Sequence, residues 1–210
     1  MPDLVATRSR TSCDPLCLAV GTTRTLGQDQ TTYGDTITRM TDQGGDDQRP
    51  LRTLVQAGVL TAIVDGLFAS VSSLFYGSTP TRVFQSVAST LLGADSFQGG
   101  TRTALIGVAM HVAVAFWWSA VFLVIARRSP SIRRILQSPA GPLKVASVYG
   151  PFIWLVMSLA VIPLLVHRPP AITSRWWIQL LGHIPFVGFP IAMSIARGWR
   201  RRPQVQNLRA

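Results

Sequence analysis

The chain has 210 residues, of which 48% are hydrophobic and only 14% charged, well below the roughly 25% charged residues of soluble domains. Twenty basic and nine acidic side chains give a formal net charge of +11. The basic residues lie in short stretches beside apolar segments rather than on one face of a domain, which excludes a nucleic-acid partner and implies a lipid bilayer.

Residues 1–50 are rich in Thr, Asp, Gln, Gly and Arg without apolar periodicity, so a disordered polar tail is predicted. Its two cysteines, Cys13 and Cys17, have no His or further Cys nearby, and the spacing reads as incidental thiols rather than a metal site. No apolar run precedes them, which argues against a lipoprotein site or a cleavable signal. From Met40 onward, "MTDQGGDDQRPLR" forms a short polar lead into the next segment. Residues 1–39 are therefore expected to be a start-site over-extension.

Four apolar stretches follow, at residues 53–76, 103–126, 145–166 and 176–196. Together they contain one acid, two histidines and neither lysine nor arginine. Each is long enough to cross a bilayer, which needs about 20 residues of helix. The expected fold is thus an all-α integral membrane protein, a four-transmembrane-helix bundle over residues 51–203, with residues 204–210 as a cytoplasmic tail. Between the first two stretches, Thr79-Pro80 is a helix-start signature and Gly93 a stop. In "PTRVFQSVASTLLG", Phe84, Val87, Ala88 and Leu91 share one face, with Arg82, Gln85, Ser86 and Ser89 largely opposite. This predicts a short amphipathic helix over about 80–92, lying in the outer interface or capping the bundle.

The basic residues set the threading. Arg49 and Arg52, then Arg127, Arg128, Arg133, Arg134 and Lys144, then Arg197, Arg200, Arg201, Arg202 and Arg209 fall on one side, against Arg82, Arg102, Arg168 and Arg175 on the other. Both termini are expected to be cytoplasmic. Tyr76, Trp176 and Trp177 are then expected at the outer interface and Trp199 at the inner one.

At helical spacing Asp65 shares a face with Gly58, Thr61, Ala62, Ala69 and Ser72, while Leu60, Ile63, Leu67, Val71 and Leu74 lie toward the other side. Small residues let helices approach closely in lipid, so the acid is expected to face other helices. Ala104, Gly107, His111, Ala115 and Ser119 repeat the pattern around a histidine, and Gln179 and His183 lie one turn apart. Helix interruptions are expected at Gly150, Pro151, Pro163, Pro185 and Pro190, since proline removes a backbone hydrogen bond. Both histidines lie roughly 10 Å, and Asp65 about 16 Å, from the outer ends of their spans.

These residues define a candidate intramembrane polar cluster of Asp65, His111, His183, Gln179, Thr61 and Ser119. An intramembrane acid is a functional site by default. It could handle a proton, an ion or a small solute together with the histidines, or simply hydrogen-bond neighbouring helices. His111 and His183 could alternatively hold a b-type haem from two spans, or join Asp65 around a metal ion. The remaining reading is two histidines satisfied by backbone carbonyls or by Gln179, with no cofactor. No phosphate loop, H-E-x-x-H or G-x-S-x-G occurs, so a non-enzymatic protein with a structural, regulatory or stress-related role is expected. A pore or carrier of four spans would need a homo-oligomer.

Three stretches carry a family resemblance: "TPTRVFQSVASTLLGADSFQGG", "GVAMHVAVAFWWSAVFLVIA" with His111, and the set "VIPLL", "RPP" and "LGHIPFVGFPIA" with Pro163, Pro169, Pro170, Gly182 and His183. Together they span most of residues 52–198. They resemble small, mostly uncharacterised four-span inner-membrane proteins of bacteria, with YagU-like proteins as distant relatives. The resemblance implies a bacterial inner-membrane location and a stress-related role, without an established chemistry, and it does not require Asp65.

The start-site expectation has a direct check. N-terminal mass measurement on native protein should show a chain beginning at Met40, and an intact Met1 would end the idea.

Overall fold

The computed structural model describes residues 28–167 and 169–200, with side chains from Pro50 onward. The chain divides into two units, residues 1–44 and 45–210. In the first, the backbone is helical from Gln28, where the sequence predicted no structure. Cys13 and Cys17 lie outside the described residues.

The second unit is helical throughout its regular elements, and four helical segments are long and apolar enough to cross a membrane. The first, Pro50–Leu74, is the apolar part of α1 (Gln28–Leu74). After α2 (Pro80–Leu92) and a 3-10 turn at Ala94–Gln98, α3 (Gly100–Arg128) forms the second span. The short α4 (Pro130–Gln137) leads to the third span, made of α5 (Gly141–Val156), a π turn and α6 (Ile162–Val166). The fourth joins α7 (Ser174–His183) to α8 (Phe189–Arg200) through a second π turn. The protein is therefore a multi-pass membrane protein built as an all-α bundle.

The expected faces of the first two spans are the observed ones. Thr61, Ala62 and Ser72 are buried, while Leu60, Ile63, Leu67, Val71 and Leu74 form an exposed apolar stripe suited to acyl chains. On α3, Ala104, Gly107, Ala115 and Ser119 are buried.

The interruptions fall differently from the expectation. The α5 helix continues through Gly150 and Pro151. Gly150 is there for close approach, because a Cβ would collide with the backbone of His183 and Ile184. The α geometry gives way later, in π turns at Met157–Val161, just ahead of Pro163, and at Ile184–Gly188, which contains Pro185 and precedes Pro190. A π turn widens the helix where a proline supplies no N–H and its ring presses on the preceding turn.

α2 lies against α3. Gln85, expected on the polar face, is buried: its Nε2 donates to the Gly100 carbonyl at 3.0 Å, and Ser96 Oγ donates to the Gln85 carbonyl at 3.1 Å. A polar side chain in this position is retained because its partners are main-chain groups. Thr79 caps the helix through Arg82 N, with Pro80 in the first turn. Ser129-Pro130 repeats that signature at α4, between the second and third spans, and α4 buries Leu136.

Packing is uneven along the bundle. Toward α4, Phe122, Leu123, Leu136, Tyr149, Ile191 and Ile195 form a continuous buried core, and Tyr149 donates to the Trp118 carbonyl at 2.8 Å. Toward α2, the helices instead surround a cavity.

Gly107 gives the α2–α3 contact a test of sign. A Cβ there would collide with the Phe84 carbonyl, which as backbone cannot swing aside, whereas a Cβ at Gly66 meets nothing closer than His111 Nε2 at 3.5 Å. Glycine to alanine inside a helix ordinarily gains about 1 kcal/mol. Gly66→Ala should therefore be neutral or stabilising, while Gly107→Ala should lose about 1–3 kcal/mol through overpacking. Thermal unfolding in detergent separates the two, and equal shifts would refute the close approach.

Candidate functional site

The site begins on the small-residue face of the first span. Thr61 and Asp65 lie one turn apart on α1, facing His111 on α3. His111 Nε2 donates to the Ala62 carbonyl at 3.1 Å, and the same nitrogen stands 3.9 Å from Asp65 Oδ2. The second distance suits an ion pair but is too long for a hydrogen bond. The two side chains are 16% and 17% exposed, and that remaining surface opens on the cavity both residues line. Among the described residues, Asp65 receives no hydrogen bond.

His183 comes from the end of α7. Its Nδ1 donates to the carbonyl of Gln179, one turn earlier, at 2.7 Å. The ring is buried yet borders the same cavity, within electrostatic range of Asp65 and His111. The Gln179 side chain also lines it. Of the six residues in the expected cluster, Thr61, Asp65, His111, Gln179 and His183 thus meet around one space. Ser119 does not: it is fully buried and donates to the Ala115 carbonyl at 2.8 Å, within its own helix.

The cavity has a volume of about 750 Å³ and draws its wall from all four spans and α2. Much of that wall is aromatic. Trp154 packs 4.8 Å from the His183 ring and 6.2 Å from Trp176, while Phe84 stands edge-on to His111 at 6.0 Å. Trp118 contributes from α3, close to the Ile153 and Ile191 floor shared with the packed core.

Trp176 overturns an expectation. It was expected at the membrane interface as an anchor, yet it is 8% exposed and faces the bundle, leaving Trp177, at 55%, on the outside. The indole N–H groups of Trp118, Trp154 and Trp176, like the Thr61 hydroxyl, are covered by neighbouring atoms and have no hydrogen-bond partner among the described residues. Trp176 stands perpendicular to Trp177 at 4.9 Å, a geometry in which edges meet π faces. With their N–H groups turned into the wall, these rings offer the cavity carbon and π surface rather than donors.

Sequence spacing ties two of these tryptophans to the histidines. Trp118 follows His111 by seven residues and Trp176 precedes His183 by seven, so each shares a helix face with its histidine. Trp154 has no such marker, because the third span contains no ionisable anchor. At the rim, Arg175 places its guanidinium 5.1 Å from the Tyr76 ring, linking the start of α7 to the end of the first span.

No family model, curated protein or solved structure matches the chain. The site's chemistry must therefore be read from its own atoms. Among the described residues, no group of three or more His, Cys, Asp or Glu side chains is arranged to hold a metal ion. Bis-histidine haem ligation fits poorly: His111 Nε2 carries its proton toward the Ala62 carbonyl, whereas an axial ligand must present a lone pair. The arrangement suits reversible protonation of a carboxyl group beside two imidazoles, in a space large enough for a small organic molecule.

Proposed function

We propose that the protein handles a small solute coupled to a proton, in an intramembrane cavity centred on Asp65, His111 and His183. One observation carries this reading. The acid in the middle of the first span has no hydrogen bond from the described residues, and it borders an open space beside His111. A purely structural aspartic acid would be expected to spend its oxygens on helix-to-helix hydrogen bonds. Instead His111 is satisfied by a main-chain carbonyl, which leaves the carboxyl group available to a proton or a ligand. The role is one of binding and exchange rather than bond-making catalysis.

The positive-inside count supports both termini being cytoplasmic, and the family resemblance supports a bacterial inner-membrane placement. Among the described residues, the end bearing α4 carries Arg127, Arg128, Arg133, Arg134 and Lys144, and the end bearing α2 carries Arg82, Arg102 and Arg175. The cavity would then open toward the outer half of the bilayer. A homo-oligomer would be the way for four spans to complete a transport path. The resemblance to YagU-like proteins and its implied stress role are compatible with proton coupling, and nothing in the site depends on them.

Proteoliposomes test the reading. Proton flux driven by a pH gradient should exceed the protein-free background for the parent and return to background for Asp65→Asn, which preserves side-chain shape. Equal background fluxes for both would remove it.

A further inference from the structure

The cavity's wall chemistry narrows what the site accepts. Among the described residues, Asp65 is the sole acid lining it and its hydrogen-bonding capacity is unspent. The other titratable or charged groups on the lining are His111 from α3, and His183 and Arg175 from α7. The lining positions of α2, α5, α6 and α8 contribute none. Arg175 sits at the rim, exposed and held over Tyr76, so it does not neutralise the carboxylate in the interior. Among the described residues, an ionised Asp65 therefore faces imidazoles rather than a fixed cation in the interior.

Around it stand Phe84, Trp118, Trp154 and Trp176, and the indole N–H edges of the three tryptophans are buried in the wall. Ring faces with a negative quadrupole, tryptophan most of all, attract cations, and they do so more strongly where water is excluded. An anion would meet carboxylate and π surface together, and a neutral acceptor would find the indole donors already covered.

Building on the proposed function, we infer that the cavity binds a hydrophobic organic cation, such as an aromatic or alkyl ammonium or phosphonium ion, with Asp65 as counter-ion and the tryptophans as the enclosing wall. The proton balance is simple. A protonated Asp65 gives up its proton as the cation arrives, and the cation leaves when the carboxyl group is reprotonated. Cation and proton compete for the same carboxylate, so binding tightens as pH rises.

The test uses the full chain in lipid nanodiscs, titrated calorimetrically against empty nanodiscs. The probes are tetraphenylphosphonium, its anionic analogue tetraphenylborate, and neutral triphenylphosphine oxide. Tetraphenylphosphonium should bind saturably and release protons into weakly buffered solution. Asp65→Asn should abolish that binding and Asp65→Glu should retain it. Trp154→Leu should weaken it by about five- to thirtyfold, with Trp154→Phe less affected, as loss of a desolvated cation–π contact requires. Tetraphenylborate binding as tightly as the cation, or Asp65→Asn binding the cation like the parent, overturns the inference. Absence of tetraphenylphosphonium binding alongside an Asp65-dependent proton flux overturns the cation class alone, while loss of both removes the proposed function as well.

Discussion

An ionisable acid at the middle of a membrane span costs about 3 kcal/mol or more when it faces acyl chains. Much of the arrangement around Asp65 follows from keeping it off lipid without sealing it in. Residues one turn to either side are small, so the first span can approach α3 closely enough for His111 to reach the Ala62 carbonyl. Bulky aliphatic residues fill the opposite face, where they stay exposed on the bundle exterior. In lipid, apolar side chains gain nothing by leaving the solvent, and contact between small-residue faces has to hold the helices instead. The face that secures the bundle is thus the face that carries the acid.

The bundle resolves this into a packed end and a hollow end. Near α4, aromatic and aliphatic side chains from α3, α5 and α8 close into a core, anchored by the Tyr149 hydroxyl on the Trp118 carbonyl. Near α2 the spans instead surround the cavity. The π turns contribute to that change of spacing. One follows α5 directly after Trp154 and Val156, and the other follows His183, so both re-aim their helices at the level of the site. π turns recur at functional sites because they shift the face a helix presents by one residue. Gly150 belongs to the same construction, since it lets α5 touch the main chain where the second π turn begins.

What the sequence made legible were features that depend on periodicity. The four spans, the capped helix after Thr79, and the buried faces of Asp65 and His111 all rest on spacing within one helix, and the structure contains each of them. What it concealed depends on contacts between helices. Gln85 looks like a solvent-facing residue by pattern, and becomes buried only because Gly100 and Ser96 arrive beside it. Trp176 looks like an interfacial anchor, because hydropathy cannot tell a tryptophan at the membrane surface from one turned inward. Gly150-Pro151 looks like a break, yet the proline is absorbed within α5 and the π turn falls six residues on. Ser129-Pro130 carries the same start signature as Thr79-Pro80, in a stretch whose arginines report on topology and not on local structure.

The geometry of Asp65 and His111 bears on whether the acid is a clasp or a working group. A clasp would place the imidazole N–H on a carboxyl oxygen at hydrogen-bond distance. Here that N–H is directed at a main-chain carbonyl, and the carboxyl oxygen stands at 3.9 Å, near enough to feel a charge on the ring but not to be bound by it. His183 is treated alike, with Nδ1 held by its own helix and the ring left at the cavity wall. The hydrogen bonds of both histidines go to backbone, so a change in the protonation of Asp65 breaks no hydrogen bond that holds the bundle. Hydrogen bonding between the helices is decoupled from the proton on Asp65 at this site. A carboxyl group that must exchange its proton many times without loosening the fold requires that decoupling, whereas a structural clasp would work against it.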